Sequence, residues 1–263
     1  MNVYEAQNIR NVLLVGHSGA GKTTLAEALL FGAGSITRMG SVEDGNTVSD
    51  HDPEEVRRGI SVSLALAPIE WSGTKINVMD APGYADFIGD VKGALRAADA
   101  CLFVVSAVDG VEVQTEVVWE LAAEAGLPRA IFMNKLDRDR ASFDRTLEEL
   151  VKAFGTQVAP VHLPIGEEHD FTGVMDLLTR RAWRYESGPH GTEDEWPEDL
   201  AAKADPYRER LQDAVAEADD ALLEKYLDQG ELSPDEIVQG VKAGLVDAKF
   251  SPVLVGAAGR AIG

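Results

Sequence analysis

Residues Gly16-His17-Ser18-Gly19-Ala20-Gly21-Lys22-Thr23 set three glycines within six positions and then a lysine and a hydroxyl residue. The apolar run Val12 to Val15 precedes them, and the helical pattern Thr24 to Phe31 follows. A chain that leaves a strand through such a loop and enters a helix at once is constrained to the βαβ class. The glycines let backbone N–H groups turn toward an anion, and the helix start adds its dipole. Lys22 can offset phosphate charge, and the Thr23 hydroxyl suits a hard cation such as Mg²⁺. Such a pattern arises by accident in about one in a hundred chains of this length, so a plain Gly-rich turn is the weaker reading.

The remaining apolar runs extend the same alternation. From Ser61 to Trp71 the side chains alternate with Val62, Leu64 and Leu66 on one face, and Ser72-Gly73 then turns the chain into Ile76 to Met79, a predicted hairpin. Leu102 to Val105 and Ala130 to Met133 read as buried strands separated by a helix from Val113 to Ala125. Ser142 to Phe154 reads as a helix, Val158 to Leu163 as a strand and Val253 to Val255 as the last strand. The fold class is therefore α/β, a mostly parallel sheet flanked by helices.

Between Asp137 and Ala257 lies far more chain than one further helix and strand require. We assign residues 1–165 and 250–263 to the main domain and residues 166–249 to an inserted α/β subdomain. A helix is expected to start at Asp205-Pro206 and to carry Leu211, Val215, Ala218, Leu222 and Tyr226 on one stripe. Ser233-Pro234-Asp235-Glu236 is a capping box that opens another. The formal charge of −21 concentrates here, because Glu186 to Glu236 holds 17 acidic and 4 basic residues. Spread evenly, such a charge would repel nucleic acid, but more than half of it lies in this one segment. Its acidic face is either a solvated face or a dock for a basic partner.

Composition excludes other classes. A hydrophobic content of 45% with 26% charged residues belongs to a globular protein. The longest nearly apolar run, Ala100 to Val108, is broken by Ser106 and is far shorter than the roughly 18 residues a membrane helix needs. The N-terminus lacks the basic and apolar pattern of a secretory signal, so a cytoplasmic location is expected. Cys101, the one cysteine, has no internal disulfide partner and reads as core packing.

Two further segments carry chemistry. Asp80-Ala81-Pro82-Gly83 follows the hairpin, where an acidic residue can hold Mg²⁺ through water and a Gly amide can meet a γ-phosphate. On its own this is an ordinary turn sequence. Asn134-Lys135-Leu136-Asp137 ends another strand, and the Asp137 carboxylate can accept from N1–H and the N2 amino group of guanine, a donor pair adenine lacks. Lys135 can cover the base plane, and Asn134 can brace the loop. Three motifs in this order, each at a strand end, favour GTP over ATP.

With these motifs in place the chain resembles the G domain of the elongation factor G family of translational GTPases, a P-loop NTPase fold that carries an inserted subdomain. Shared stretches include Glu55-Val56-Arg57-Arg58-Gly59-Ile60-Ser61, Asp86-Phe87, Gly110-Val111-Glu112 and Leu163-Pro164-Ile165-Gly166. The resemblance implies GTP/GDP as ligand, with Gly16, His17, Ser18, Gly19, Ala20, Gly21, Lys22, Thr23, Thr24, Asp80, Ala81, Pro82, Gly83, Tyr84, Asn134, Lys135, Asp137, Ala257 and Ala258 around it. It implies Mg²⁺ at Thr23, Ser61 and Asp80, and hydrolysis assisted by Lys22, Gly83 and Tyr84. Implied partners are the ribosomal GTPase-associated centre and, through the acidic insertion, its stalk protein. Nothing in the sequence suggests more than a monomer. His17 is expected to pack against its loop, and His51 to lie in a solvated loop.

Four departures from the family pattern carry consequences. Tyr84 stands where a histidine orients the attacking water, and a phenol can donate one hydrogen bond but cannot readily become a cation. Slow hydrolysis is the expectation. Gly19 replaces an acidic residue, Ser61 replaces threonine with its hydroxyl kept, and Ala257 removes a hydroxyl near the base. Together they resemble a divergent paralogue, and alternatives follow: a GTP-holding ribosome-binding module with little turnover, or a ribosome protection or recycling factor. A sheet of this class would want a covering helix after Gly263, so further domains are expected beyond it.

Overall fold

The alternation of apolar runs and helical patterns reappears as alternating strands and helices. The computed structural model describes residues 3–186, 188–196 and 198–263. Strand β1 (Ile9–Val15) leads into α1 (Lys22–Gly32), and the short helix α2 (Pro53–Arg58) leads to β2 (Ala65–Trp71) and β3 (Thr74–Asp80). Next come α3 (Ile88–Leu95), β4 (Ala100–Ser106), α4 (Val113–Glu124), β5 (Arg129–Asn134), α5 (Phe143–Phe154) and β6 (Val158–Pro160). An excursion follows through β7 (His162–Ile165), β8 (Gly173–Asp176), β9 (Arg181–Arg184), β10 (Thr192–Asp194), α6 (Glu198–Glu217), α7 (Asp220–Gln229) and α8 (Pro234–Val246). The chain returns as β11 (Ser251–Val255).

Seven strands form one sheet in the order β2-β3-β1-β4-β5-β11-β6. Pairing is parallel except between β2 and β3. Helices cover both faces, which explains why the inner strands read as unbroken apolar runs. Leu13, Val15, Phe103, Val105, Ile131 and Met133 face one buried layer with Trp119 and Phe154, while Leu14, Val104 and Phe132 face another with Leu25 and Leu30. Cys101 is buried in β4, and burial pushes its thiol up to about 12. Among the described residues no helix is long and apolar enough to cross a membrane.

The structure departs from the sequence reading at three elements. β2 begins at Ala65 and buries Ala67 and Ile69, leaving Leu66 61% exposed, so the Val62, Leu64, Leu66 face is not the inward one. The late start has a nearby cause: the amides of Val62 and Ser63 donate to the Glu55 carboxylate at 3.0 and 3.2 Å, so they cannot enter the ladder. The expected strand from Val158 to Leu163 is divided. β6 stays at the edge of the main sheet, whereas β7 pairs with β8 in an antiparallel sheet of order β10-β9-β8-β7. The helix expected from Asp205-Pro206 starts earlier, at Glu198, with Pro206 inside it, and it stops at Glu217. The stripe then passes to α7, because the Asp219 side chain accepts from the amides of Ala221 and Leu222 at 2.9 and 3.1 Å and starts a new helix. The capping box at Ser233 and Glu236 forms as expected at the head of α8.

The chain leaves the seven-stranded sheet after β6 and returns to it as β11, and these strands are neighbours in the sheet. Trp119 ties this region together: its ring stacks on Phe154 at 4.1 Å and tilts on Phe103 at 4.8 Å. The Arg129 guanidinium lies 4.7 Å over the same ring and donates to the Ala248 carbonyl at 3.1 Å, just past α8. Trp119→Ala should lower stability by about 3–5 kcal/mol, read as a reduced midpoint in denaturant titration. A loss under about 1 kcal/mol would show that α4 and α5 do not depend on this ring.

Candidate functional site

The C-terminal ends of the parallel strands open onto a cleft of about 800 Å³. Its floor is the loop between β1 and α1. Gly16, Gly19 and Gly21 all have positive φ, at 141°, 81° and 97°. A Cβ on Gly16 would fall 2.3 Å from the Val104 carbonyl oxygen, so the loop turns tight against β4 only because that side chain is missing. Helix α1 starts at Lys22 with no side-chain cap, and the residues carrying its first-turn N–H groups line the cleft. That arrangement favours an anion.

Lys22 is buried and donates to the carbonyls of Gly16 and His17 at 3.1 and 3.0 Å. Burial drives its ammonium down to about 8, with Asp80 and Asp50 opposing. Beside it the Thr23 hydroxyl donates to Asp80 Oδ2 at 2.7 Å and lies 3.2 Å from the Ser61 hydroxyl, which donates to Asp50 Oδ1 at 2.8 Å. Burial pushes the Asp80 carboxyl up to about 6, although the Thr23 hydrogen bond opposes it. Asp80 Oδ1 is buried with no hydrogen-bond partner. Two hydroxyls and two carboxylates, one with an unsatisfied oxygen, make an all-oxygen donor set of the kind that suits a hard divalent cation. The residues at Thr23, Ser61 and Asp80 therefore fit the Mg²⁺ implied by the resemblance.

Gly83 lies hard against the loop between β1 and α1, since a Cβ there would come within 2.5 Å of Lys22 Nζ and 2.7 Å of the Ser18 amide nitrogen. Ala81 and Pro82 are buried behind it, and Tyr84 is 42% exposed at the cleft wall. At the opposite end Asn134, which is buried, donates to the Ala20 carbonyl and accepts from the Ala258 amide, both at 2.9 Å. One side chain thus joins the phosphate loop to the loop after β11. Lys135 has a φ of 64°, and its ammonium lies 4.0 Å from Asp109. Asp137 is half-buried and lines the cleft with Lys135.

The structure brings Ser18, Gly19, Gly21, Lys22, Thr23, Thr24, Ser61, Gly83, Tyr84, Asn134, Lys135 and Asp137 to the cleft wall. Gly16, Ala20, Asp80, Ala257 and Ala258 sit behind it, and Gly259 is the wall residue of the last loop. His17 is also buried behind the wall, both ring nitrogens lack hydrogen-bond partners, and Nε2 stands 3.9 Å from Asp109; burial lowers its pKa. His51 bonds the Ser49 carbonyl through Nδ1 at 3.0 Å, and no cluster of metal-ligating His, Cys, Asp or Glu occurs among the described residues. Three carboxylates to which the sequence reading gave no role, Glu27, Asp50 and Glu55, are all buried around the segment that carries Ser61. The capping-box spacing of Asp52 and Glu55 was the signal for the last; no local pattern marks the other two.

Comparison with known proteins adds to this geometry. The family described as the elongation factor Tu GTP-binding domain matches residues 7–263. The chain is 38% identical over 261 residues to elongation factor G of Granulibacter bethesdensis, covering 98% of this chain and 38% of that protein. It is 40% identical over 256 residues to elongation factor G of Thermotoga maritima, covering 97% of this chain and 37% of that protein. A crystal structure of a protein from Thermus thermophilus superposes with a TM-score of 0.89 at 38% identity, over 97% of this chain and 38% of that one. The chain thus spans under two fifths of the length of the curated relatives it matches.

Asp80 sets a pH signature for the cleft. Its folded carboxyl holds a proton up to about pH 6, above the ordinary value near 4 of an unfolded chain. The folded state binds that proton more tightly, so this group lowers stability as pH rises through about 4 to 6, and the loss is complete above. Asp80→Asn should gain on the unaltered chain by about 2 kcal/mol between pH 4 and pH 7, measured as the difference in unfolding free energy at each pH. A difference that stays flat across that range would exclude a desolvated carboxylate at Asp80.

Proposed function

Because this chain belongs to the elongation factor Tu GTP-binding domain family, we propose that it is the guanine-nucleotide switch of an elongation factor G-type GTPase that works on the ribosome. The observation that carries the reading is the single cleft running from Lys22 to Asp137, bridged at its back by Asn134. One cleft wall thus carries both the Lys22 end suited to phosphates and the Asp137 end suited to a base. The amides of Ser18, Gly19 and Gly21 to Thr24, with the Lys22 ammonium, hold the phosphates. Asp137 pairs with N1–H and the N2 amino group of guanine, Lys135 lies along the base, and Ala257-Ala258 close the loop behind it.

Thr23, Ser61 and Asp80 would hold Mg²⁺, which would supply positive charge to offset that of the phosphates. Ser61 and the Gly83 amide close on the γ-phosphate side, and both are released once water has attacked the γ-phosphorus and GDP and phosphate have formed. Tyr84 orients that water with one hydrogen bond from its phenol. It cannot become cationic as an imidazole can, so turnover is slow. The same residue favours a second reading, a module that holds GTP and binds the ribosome with little hydrolysis.

The acidic α6, α7 and α8 suit a basic surface of the ribosomal stalk. We take the inserted subdomain to start with β7, four residues before Gly166, because β7 pairs only into the four-stranded sheet. The protein is a cytoplasmic monomer in this reading.

Calorimetry with Mg²⁺ present should show GTP binding at least about 10⁴-fold tighter than ATP. Equal affinities, or no binding of either, would overturn the nucleotide assignment. In the full-length protein with ribosomes, Tyr84→His should raise GTP hydrolysis by about a hundredfold. Unaltered protein that already matches the variant would remove the slow-switch reading.

A further inference from the structure

The most completely buried acidic side chain near the cleft is Glu27, with 0% of its surface exposed. It lies on α1, about one helical turn after Thr23, and so on the same side of the helix as that cleft-lining residue. Its two carboxylate oxygens are used separately. Oε2 accepts from the Gly40 amide at 2.8 Å, and Oε1 accepts from the Val48 amide at 2.6 Å. Both amides belong to the segment between α1 and α2, the segment that carries Asp50 and leads to Ser61. Gly40 is shaped to this contact: a Cβ there would fall 2.8 Å from Glu27 Oε2, 2.6 Å from the Asn46 carbonyl oxygen and 2.9 Å from the Thr47 Cα.

We infer that Glu27 is a positioning residue for the γ-phosphate side of the cleft, acting by fixing the 40–48 segment to the helix that begins the phosphate site. The line of contacts is short. Val48 is anchored by Glu27, and two residues later Asp50 accepts the Ser61 hydroxyl, which stands 3.2 Å from Thr23. Thr23 and Glu27 share one rigid helix, so the anchor and its target are held in one frame. Glu55 secures the far side, taking the amides of Val62 and Ser63. Ser61 is thereby suspended between two buried carboxylates.

A carboxylate is required at position 27 because it is acceptor-only. Glu27→Gln keeps the shape but turns one acceptor into a donor facing an amide N–H. The anchor holds the arrangement in which Ser61 stands 3.2 Å from Thr23; if the γ-phosphate is what that arrangement serves, losing the anchor bears on the triphosphate more than on the diphosphate.

This inference rests on the GTP reading, and the test separates the two. Release rates of fluorescent GTP and GDP analogues are measured with Mg²⁺ for the unaltered chain, Glu27→Gln, Gly40→Ala and the double variant. Gly40→Ala disturbs the same contact from the loop side and leaves α1 intact, so it carries the test if Glu27→Gln fails to fold. The GTP analogue should leave each single variant about tenfold faster, with GDP release changed less than about twofold. The double variant should be no worse than the poorer single one. Unchanged GTP release in Gly40→Ala, equal acceleration of GTP and GDP, or additive effects would each overturn the positioning role. No binding of either analogue by the unaltered chain would overturn the GTP reading and this inference together.

Discussion

A buried ammonium group must be met by oxygen, and the position of Lys22 organises much of the molecule around that demand. The carbonyls of Gly16 and His17 supply two partners, and they can do so only because the loop folds back over its own lysine. That folding needs three glycines in left-handed or unusual conformations and a close approach to β4. The approach in turn needs a strand at β4's place in the sheet. Asp80 and Asp50 oppose the fall in the ammonium's pKa, and burial raises the pKa of both carboxyl groups. The cleft is therefore a site whose charges are poorly solvated by the protein alone. A triphosphate with a divalent cation is the kind of ligand that would balance them.

The same logic extends to the segment around Ser61. It has little regular structure beyond the six residues of α2, and its amides would be costly to bury without partners. Glu27 and Glu55 provide those partners, one from the phosphate-site helix and one from within the segment. Side-chain acceptors, in place of a β-ladder, leave such a segment free to be held in one arrangement and released in another. This is the property required of the proposed switch.

The stretch from β7 to α8 is joined to the main sheet without a separate linker. Because β11 lies between β5 and β6, the excursion starts and ends on neighbouring strands, and its helices pack where a covering layer is needed. Arg129 completes the join by stacking on Trp119 and reaching the carbonyl just past α8. The stretch from β7 to α8 and the main sheet consequently share one core.

What the sequence determined by itself is local in origin. The strand–loop–helix at Gly16 to Thr23, the both-face burial of β1, β4 and β5, and the capping box at Ser233 each follow from residues a few positions apart, whose steric and hydrogen-bonding preferences need no distant partner. Only the tertiary structure decided that Asn134 reaches Ala20 and Ala258, residues 114 and 124 positions away. It also decided that β2 turns Ala67 and Ile69 inward, that β6 and β7 part into different sheets, and that Glu27 holds the loop at Gly40 and Val48. Those outcomes depend on the order of strands in the sheet and on which buried amides lack a ladder partner. No short-range pattern of side chains encodes either quantity, because each is set by packing between segments far apart in the chain.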